Sequence, residues 1–440
     1  MRYPLSRKPS AGPGYRHSLG PVLGLALVLP FAMDAAEARP DLVPGVWKDI
    51  TPPSATVDPD KHIFCQGMAL DPNDPDVIYL CICGYEVTDP VGLYKTVDGG
   101  STWKRVGNLD EPIHVAVDPG DSRRLYAVDG VRGNTLGFWI SRDGGESWTK
   151  PDGFVKASGD PVGTQDLYSL AVEPGNFDHV LVSFHSPWKG GSNAGVLESE
   201  DGGLNWEVRN PPAGSAGGYG MAIFFLDYPR HGIGDSRTWL FTAQQGGFFR
   251  TADGGATWTQ VYDNPMTHGG NQIYCSRTGV LYSGGYQYPA RSADGGKTWS
   301  QVKNGLDYSW YMGITGDGNT LYCAGAGENR PFFVSPESDG VDWTAYRGGA
   351  QTFPTQPFEM HFDSANGIVY SASWGGLYAL KVPPADAGVR TGNRGATHPA
   401  APRLRPGAAG ILAEDREGRG YTLPGRRIRD PGGSGARPRP

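Results

Sequence analysis

An all-β ring of repeated sheets is the fold this 440-residue sequence predicts, and three observations carry it. First, one short motif recurs: TVDGGSTW (96–103), SRDGGESW (141–148), SEDGGLNW (199–206), TADGGATW (251–258) and SADGGKTW (292–299), with a degenerate sixth copy, SPESDGVDW (335–343). Its aspartates, Asp98, Asp143, Asp201, Asp253, Asp294 and Asp339, fall 41 to 58 residues apart, a period at which each unit is one supersecondary block. Second, three runs of alternating β-branched or aromatic residues precede each copy and one follows it. Third, the last unit lacks its final strand, and the start of the repeat region supplies a matching one. Four antiparallel strands per unit and seven units make a seven-bladed β-propeller of four-stranded blades.

In the first unit the runs are about 62–70 (HIFCQGMAL), 76–83 (DVIYLCIC), 91–97 (VGLYKTV) and 102–106 (TWKRV). The same grammar restarts near 112, 165, 218, 272 and 310. A seventh unit opens at Phe358 with FEMHFD, continues through GIVYSAS and GGLYALKV, and stops without a motif copy or fourth strand. Residues 45–50 (GVWKDI) resemble the segment that follows each copy, so pairing them beside 376–382 closes the ring by an N-terminal strand and leaves no open sheet edge.

Each motif copy reads as a structural turn. The Asp side chain accepts hydrogen bonds from nearby backbone N–H groups, and Gly-Gly supplies positive φ without a Cβ penalty. The Thr or Ser two residues earlier bonds across the same turn, and the closing Trp buries aromatic surface against the neighbouring unit. Replacing Asp253 by Ala is therefore expected to lower stability and to spare ligand affinity.

The ends differ in character from the repeats. Arg2, Arg7, Lys8 and Arg16, the apolar stretch SLGPVLGLALVLPFAM (18–33) and Ala36-Glu37-Ala38 make residues 1–38 a signal peptide, so the protein is expected to be secreted or periplasmic, with no membrane span after cleavage. Residues 39–383 form the propeller. Residues 384–440 carry eleven Arg against five Asp or Glu with almost no aromatic content, which reads as a disordered Pro/Gly/Arg-rich tail. The whole chain is at −7, which leaves about −15 for residues 39–383 and argues against a nucleic-acid partner. Five cysteines (Cys65, Cys81, Cys83, Cys275 and Cys323) fit no zinc spacing, and a cross-strand disulfide from Cys65 to Cys81 or Cys83 is one arrangement open to them. Cys275 and Cys323 read as plain buried residues. The histidines are scattered, and no phosphate loop, nucleophile elbow or HExxH helix occurs, so neither metal nor cofactor is expected.

The motif is the Asp-box, or BNR repeat, and over residues 45–383 the chain resembles the sialidase-like Asp-box superfamily of β-propellers. That superfamily includes xyloglucanase-type glycoside hydrolases, sortilin ectodomains and photosystem assembly factors, so the resemblance speaks for fold and leaves activity open. It implies that ligands bind on the face opposite the boxes, built from blade-linking loops and loops between second and third strands. Those loops offer Asp110, Glu111, Asp129, Arg330 and Glu359 among their charged residues. Catalytic candidates are Asp166, Glu86, Glu328 and His268; substrate-binding candidates are His185, Trp188, Gln244, Tyr286, Tyr288, Trp310 and Trp374. Flat rings beside amides and carboxylates suit a polysaccharide or other glycan, whose C–H faces stack while its hydroxyls take directed hydrogen bonds.

Three functional classes follow. A glycoside hydrolase needs two carboxylates about 5 to 9.5 Å apart. A uronate polysaccharide lyase needs a base such as His268, His185 or Tyr286 and a cation. A non-catalytic glycan- or protein-binding scaffold needs neither. Sialidase activity is disfavoured because no Arg-Ile-Pro type motif precedes the first box. Oligomeric state is not written in the sequence.

Overall fold

The computed structural model describes residues 39–84, 91–130, 133–158, 166–187, 194–211, 220–244, 246–264, 272–285, 287–307, 309–349, 351–383, 413–414 and 420–421. The chain divides into two units, Met1–Val389 and Arg390–Pro440. The described part of the second unit is a two-rung antiparallel pair, Ala413–Glu414 with Gly420–Tyr421, where the composition showed no strand periodicity. The leader and the rest of the tail lie outside the described residues.

The first unit is a seven-bladed β-propeller. Blade 1 runs Ile63–Leu70, Ile78–Gly84, Gly92–Thr96 and Lys104–Arg105, within two residues of the expected runs. Blades 3 to 6 repeat this order, starting at Leu167, Gly220, Ile273 and Tyr311. Blade 7 consists of Pro357–Asp363, Ile368–Ser373 and Gly376–Lys381, and its fourth strand is Trp47–Asp49, paired Trp47 to Leu380 and Asp49 to Tyr378. Bonds from Gly45 N–H to the Lys381 carbonyl and from Ile50 N–H to the Leu377 carbonyl extend that clasp. The Trp47 ring sits edge-on against Phe332 and Phe353 of the blade 6 region, at 5.2 and 4.9 Å.

Blade 2 departs from the pattern. Its three strands, Pro112–Asp118, Asp121–Asp129 and Gly137–Ser141, are followed by a single bridge, Ile140 to Thr149. The next outward donor would be Pro151, which has no N–H, and the chain turns instead into a short helix, Asp152–Ser158. The helix buries Phe154 against Phe138, Phe184 and Trp206.

The five intact boxes share one geometry. The Asp carboxylate accepts the backbone N–H four residues on at 2.8 to 3.0 Å. The hydroxyl two residues before donates to the same carboxylate and accepts the second glycine's N–H. The closing Trp donates its indole N–H to the glycine carbonyl three residues back at 2.8 to 3.2 Å. These donors hold Asp253 down at about 2, the Thr257 hydroxyl first among them. In the sixth copy Trp343 keeps its bond, but Asp339 accepts only the N–H of Val341 within the turn, and the buried Glu337 reaches to Arg277 N–H and Tyr274 of blade 5.

The innermost strands share a second device. In blades 1, 2, 3, 4, 6 and 7 the first strand carries an extra residue against the second near its start, as at Gln66, Ile113, Tyr168 and Phe358. A bulge bends and twists a strand, here at the crowded centre of the ring. It also re-aims the side chains at the end where each innermost strand begins.

The disulfide is not formed: all five thiols are free. Cys65 pairs in register with Ile82, Cys81 with Gly67 and Cys83 with Phe64. The bulge at Gln66 breaks the alignment, and the three sulfurs enter three different apolar clusters. Cys323 is buried, as expected, whereas Cys275 is half-buried.

Replacing the buried Asp98 by Ala strands the Thr102 N–H and should cost about 1–3 kcal/mol in denaturant unfolding. Asp339→Ala, which releases one turn N–H, should lose measurably less. Equal losses would contradict the structural reading of the intact boxes.

Candidate functional site

Strands alternate direction within a blade, so the boxes lie on one face and the blade-linking loops on the other. The second face, the front, begins at the first residues of the innermost strands. There Phe64, Ile113, Leu167, Met312 and Phe358, from blades 1, 2, 3, 6 and 7, belong to one buried apolar cluster. Trp374, from the loop between second and third strands of blade 7, caps it. Its indole stacks on Phe64 at 4.7 Å and 16°, with His62 edge-on and Phe358 tilted beside it. Its backbone N–H is tied to the Gln356 carbonyl, and the residue is half-buried. Packed rings thus fix its orientation without hiding it.

On the front of blade 2 lies a cluster of acids. Asp129 ends the second strand, is fully buried, and accepts the Glu111 backbone N–H at 3.0 Å. Thr135 Oγ1 lies 2.9 Å from Asp129 and 2.5 Å from Asp110. The one hydroxyl proton of Thr135 is shared between the two carboxyls. The same hydroxyl oxygen accepts the Asp110 backbone N–H at 2.9 Å. Burial pushes Asp129 up to about 8, so it keeps its proton near pH 7; the Glu111 N–H and the Thr135 hydroxyl oppose the rise and the charge of Asp110 adds to it. Glu111, also fully buried, accepts the Gly84 N–H at 2.7 Å, which ties this cluster to blade 1.

Within the channel, Glu359 of blade 7 joins three blades. Its carboxylate faces His114 of blade 2 at 3.3 Å and His361 at 3.4 Å, and accepts the Met68 N–H of blade 1 at 3.1 Å. Burial works against its charge, but the two imidazoles and that N–H outweigh burial and hold it below the ordinary carboxylate range. The sequence reading placed Glu359 in a linking loop; it lies inside the Pro357–Asp363 strand. The i, i+2 spacing of Glu359 and His361 was the available signal, since it puts both on one side of a strand.

The sequence-predicted residues that are described lie on five different blades, 3 to 7. Glu86, His268, Trp188 and Tyr286 lie outside the described residues. Asp166 is buried at the start of blade 3, where its carbonyl accepts the His185 N–H at 2.8 Å. His185 is stacked on Tyr168 at 4.1 Å, and its Nδ1 donates to the Gly220 carbonyl at 3.1 Å. Burial lowers it to about 4, so the ring is neutral near pH 7. Gln244, Tyr288 and Trp310 are half-buried on blades 4, 5 and 6, and Glu328 is exposed on a turn of blade 6.

One group of potential metal ligands occurs among the described residues: His179, Glu198 and Glu200, within 4.8 Å of one another. Both His179 nitrogens already face carboxylates, Glu173 at 2.8 Å and Glu198 at 3.0 Å, and Arg209 holds the other Glu198 oxygen at 2.7 Å. The arrangement is a charged chain within blade 3, edged by Phe225 of blade 4. Among the described residues no helix is long and apolar enough to cross a membrane.

No family model matches the sequence. The chain is similar to an oligoxyloglucan-reducing end-specific xyloglucanase of Emericella nidulans, 29% identical over 214 residues, 46% of this chain and 24% of that protein. It is also similar to a xyloglucanase of a Paenibacillus species, 26% identical over 234 residues, 50% of this chain and 18% of that one. The matches span about a quarter or less of the curated relatives' length. Among solved structures, an ancestral GH74 enzyme gives a TM-score of 0.52 at 19% identity, covering 74% of this chain and 46% of that one. YCF48 from Cyanidioschyzon merolae gives 0.52 at 14%, covering 77% and 98%. These likenesses place the chain among β-propellers.

The pH dependence of Asp129 has a definite sign. Below about pH 3.8 both states hold its proton; from there to about 8 the unfolded chain releases it while the folded chain keeps it, so stability falls as pH rises through that window. Asp129→Asn lacks the titration. Its unfolding midpoint relative to the parent should therefore improve steadily from pH 4 to pH 8, and a pH-independent difference would contradict a buried proton.

Proposed function

We propose that this chain is an exported, carbohydrate-directed propeller whose front face engages a polysaccharide, a β-glucan of the xyloglucan type. The observation that carries the reading is Trp374: a half-buried indole fixed by Phe64, His62 and Phe358 over the apolar cluster at the strand starts. A flat platform with its orientation already set loses little freedom when a pyranose ring stacks on it. The xyloglucanases among the relatives point to the same substrate class.

Hydrolysis is the second reading, favoured by those relatives and by the protonated Asp129 beside Asp110, a pairing of acid and carboxylate. In its favour stands the proton; against it stands the complete burial of Asp129, which keeps that proton from solvent-side ligands. Glycan recognition needs no such access.

A panel of soluble and insoluble polysaccharides separates the two readings when both retention and release of reducing ends are measured. The parent chain should be retained on a β-glucan, and Trp374→Ala should weaken retention about tenfold at unchanged folding, as expected for about 1.4 kcal/mol of stacking. Reducing-end release abolished by Asp129→Asn would favour hydrolysis. Full retention by Trp374→Ala would refute the placement of the binding surface.

A further inference from the structure

We propose that residues 39–42 form a strap that locks the junction between blades 7 and 1, with Arg39 supplying a cation of the kind that three other junctions take from the third strands of their own blades. On the back face, a basic side chain of one blade repeatedly meets the box of the next. Lys95 of blade 1 donates to the Gly144 carbonyl of the blade 2 box at 3.3 Å, alongside Tyr79 at 3.1 Å. Arg250 of blade 4 donates to the Gly295 carbonyl at 3.3 Å, and Arg291 of blade 5 to the Asp339 carbonyl at 2.8 Å with Tyr282 at 2.9 Å. All three cations occupy the same place: the third strand, directly opposite Tyr79, Leu240 or Tyr282 of the second. At the junction of blades 2 and 3, Arg124 lies against Tyr126 and beside Gly202.

Blade 7, like blades 2, 3 and 6 with Ile140, Glu198 and Val334, has no cation at that position. Its second strand has the corresponding tyrosine, Tyr370, but the residue opposite is Ala379. The guanidinium at this junction comes from Arg39. It pairs with Asp76 of blade 1 and lies 3.5 Å from both Asp363 and the Tyr370 hydroxyl of blade 7. Its aliphatic stem covers Gly99 of the blade 1 box, where a Cβ would come within 2.9 Å of Arg39 Cγ. Pro40 and Leu42 line one pocket with Gly99 on one side and Ile368 and Tyr370 on the other. Lys48 of the clasp donates to the Asp41 carbonyl at 3.1 Å, which couples strap to clasp. Blade 7 is the one blade assembled from both ends of the repeat region, so its junction is where the ring closes, and a charge borrowed from the arm acts where opening would begin.

Hydrogen exchange on the full chain tests this through Arg39→Ala, Arg39→Lys and, as a control, Arg123→Ala, which removes an exposed pair with Asp121 on blade 2. Arg39→Ala should speed exchange at Gly45, Ile50 and the Gly376–Lys381 strand at least tenfold, leave Trp239–Ala243 of blade 4 unchanged, and be largely rescued in Arg39→Lys. If Arg39→Ala does not fold, Arg39→Gln, which keeps most of the stem and removes the charge, carries the test: local acceleration at blade 7 upholds the strap, and unchanged exchange there or acceleration spread evenly to blade 4 refutes it. Unchanged exchange at blade 7 in Arg39→Ala, or an effect matched by Arg123→Ala, also overturns the proposal.

Discussion

A four-stranded blade is apolar on both faces and cannot satisfy either alone, and that constraint shapes the rest of this molecule. Each blade gains a partner on both sides only if the ring closes. Closure here is made by hydrogen bonds from a strand distant in sequence, Trp47–Asp49, and by the Trp47 ring against Phe332 and Phe353. The boxes do the matching work at the other junctions. Their carboxylates keep the turn rigid, and their tryptophans press against the preceding blade, as Trp148 does with Tyr79 and Leu93.

Because that bracing occupies the back, the front is left to vary. Its residues obey different rules: an apolar cluster at the strand starts, an indole platform above it, and buried acids, of which Asp129 holds a loop and Glu359 joins three blades. Asp129 and Glu359 show how burial alone does not decide a carboxyl's state. Asp129 meets another acid and keeps its proton; Glu359 meets two imidazoles and a backbone N–H and loses it.

The blade count, the clasp and the strand order were legible because the box is a local motif and strand alternation is a local pattern. What escaped depends on pairing. The bulge at Gln66 is invisible in HIFCQGMAL, since nothing in those letters says which residue opposes Ile82; without it, Cys65 seemed bridgeable to Cys81 or Cys83. The helix Asp152–Ser158 is too short for periodicity to reveal, although Pro151 marks where the strand must end. The acid cluster joins Asp110, Asp129 and Thr135 from separate segments, so the sequence named the two acids without linking them and did not point to Thr135. Trp374 was identified as a binding candidate; the three rings that hold it were not.

The central claim is a division of labour between a braced back and a receptive front. Backbone exchange of the intact protein, compared with and without a saturating soluble β-glucan, tests it most directly. The account predicts slowed exchange at the front ends of the innermost strands, near Ile63, Ile113 and Phe358, and around Trp374, with the amides of Thr102, Ser147 and Thr257 in the boxes unchanged. Protection concentrated at those box amides, with the front unaffected, would contradict it.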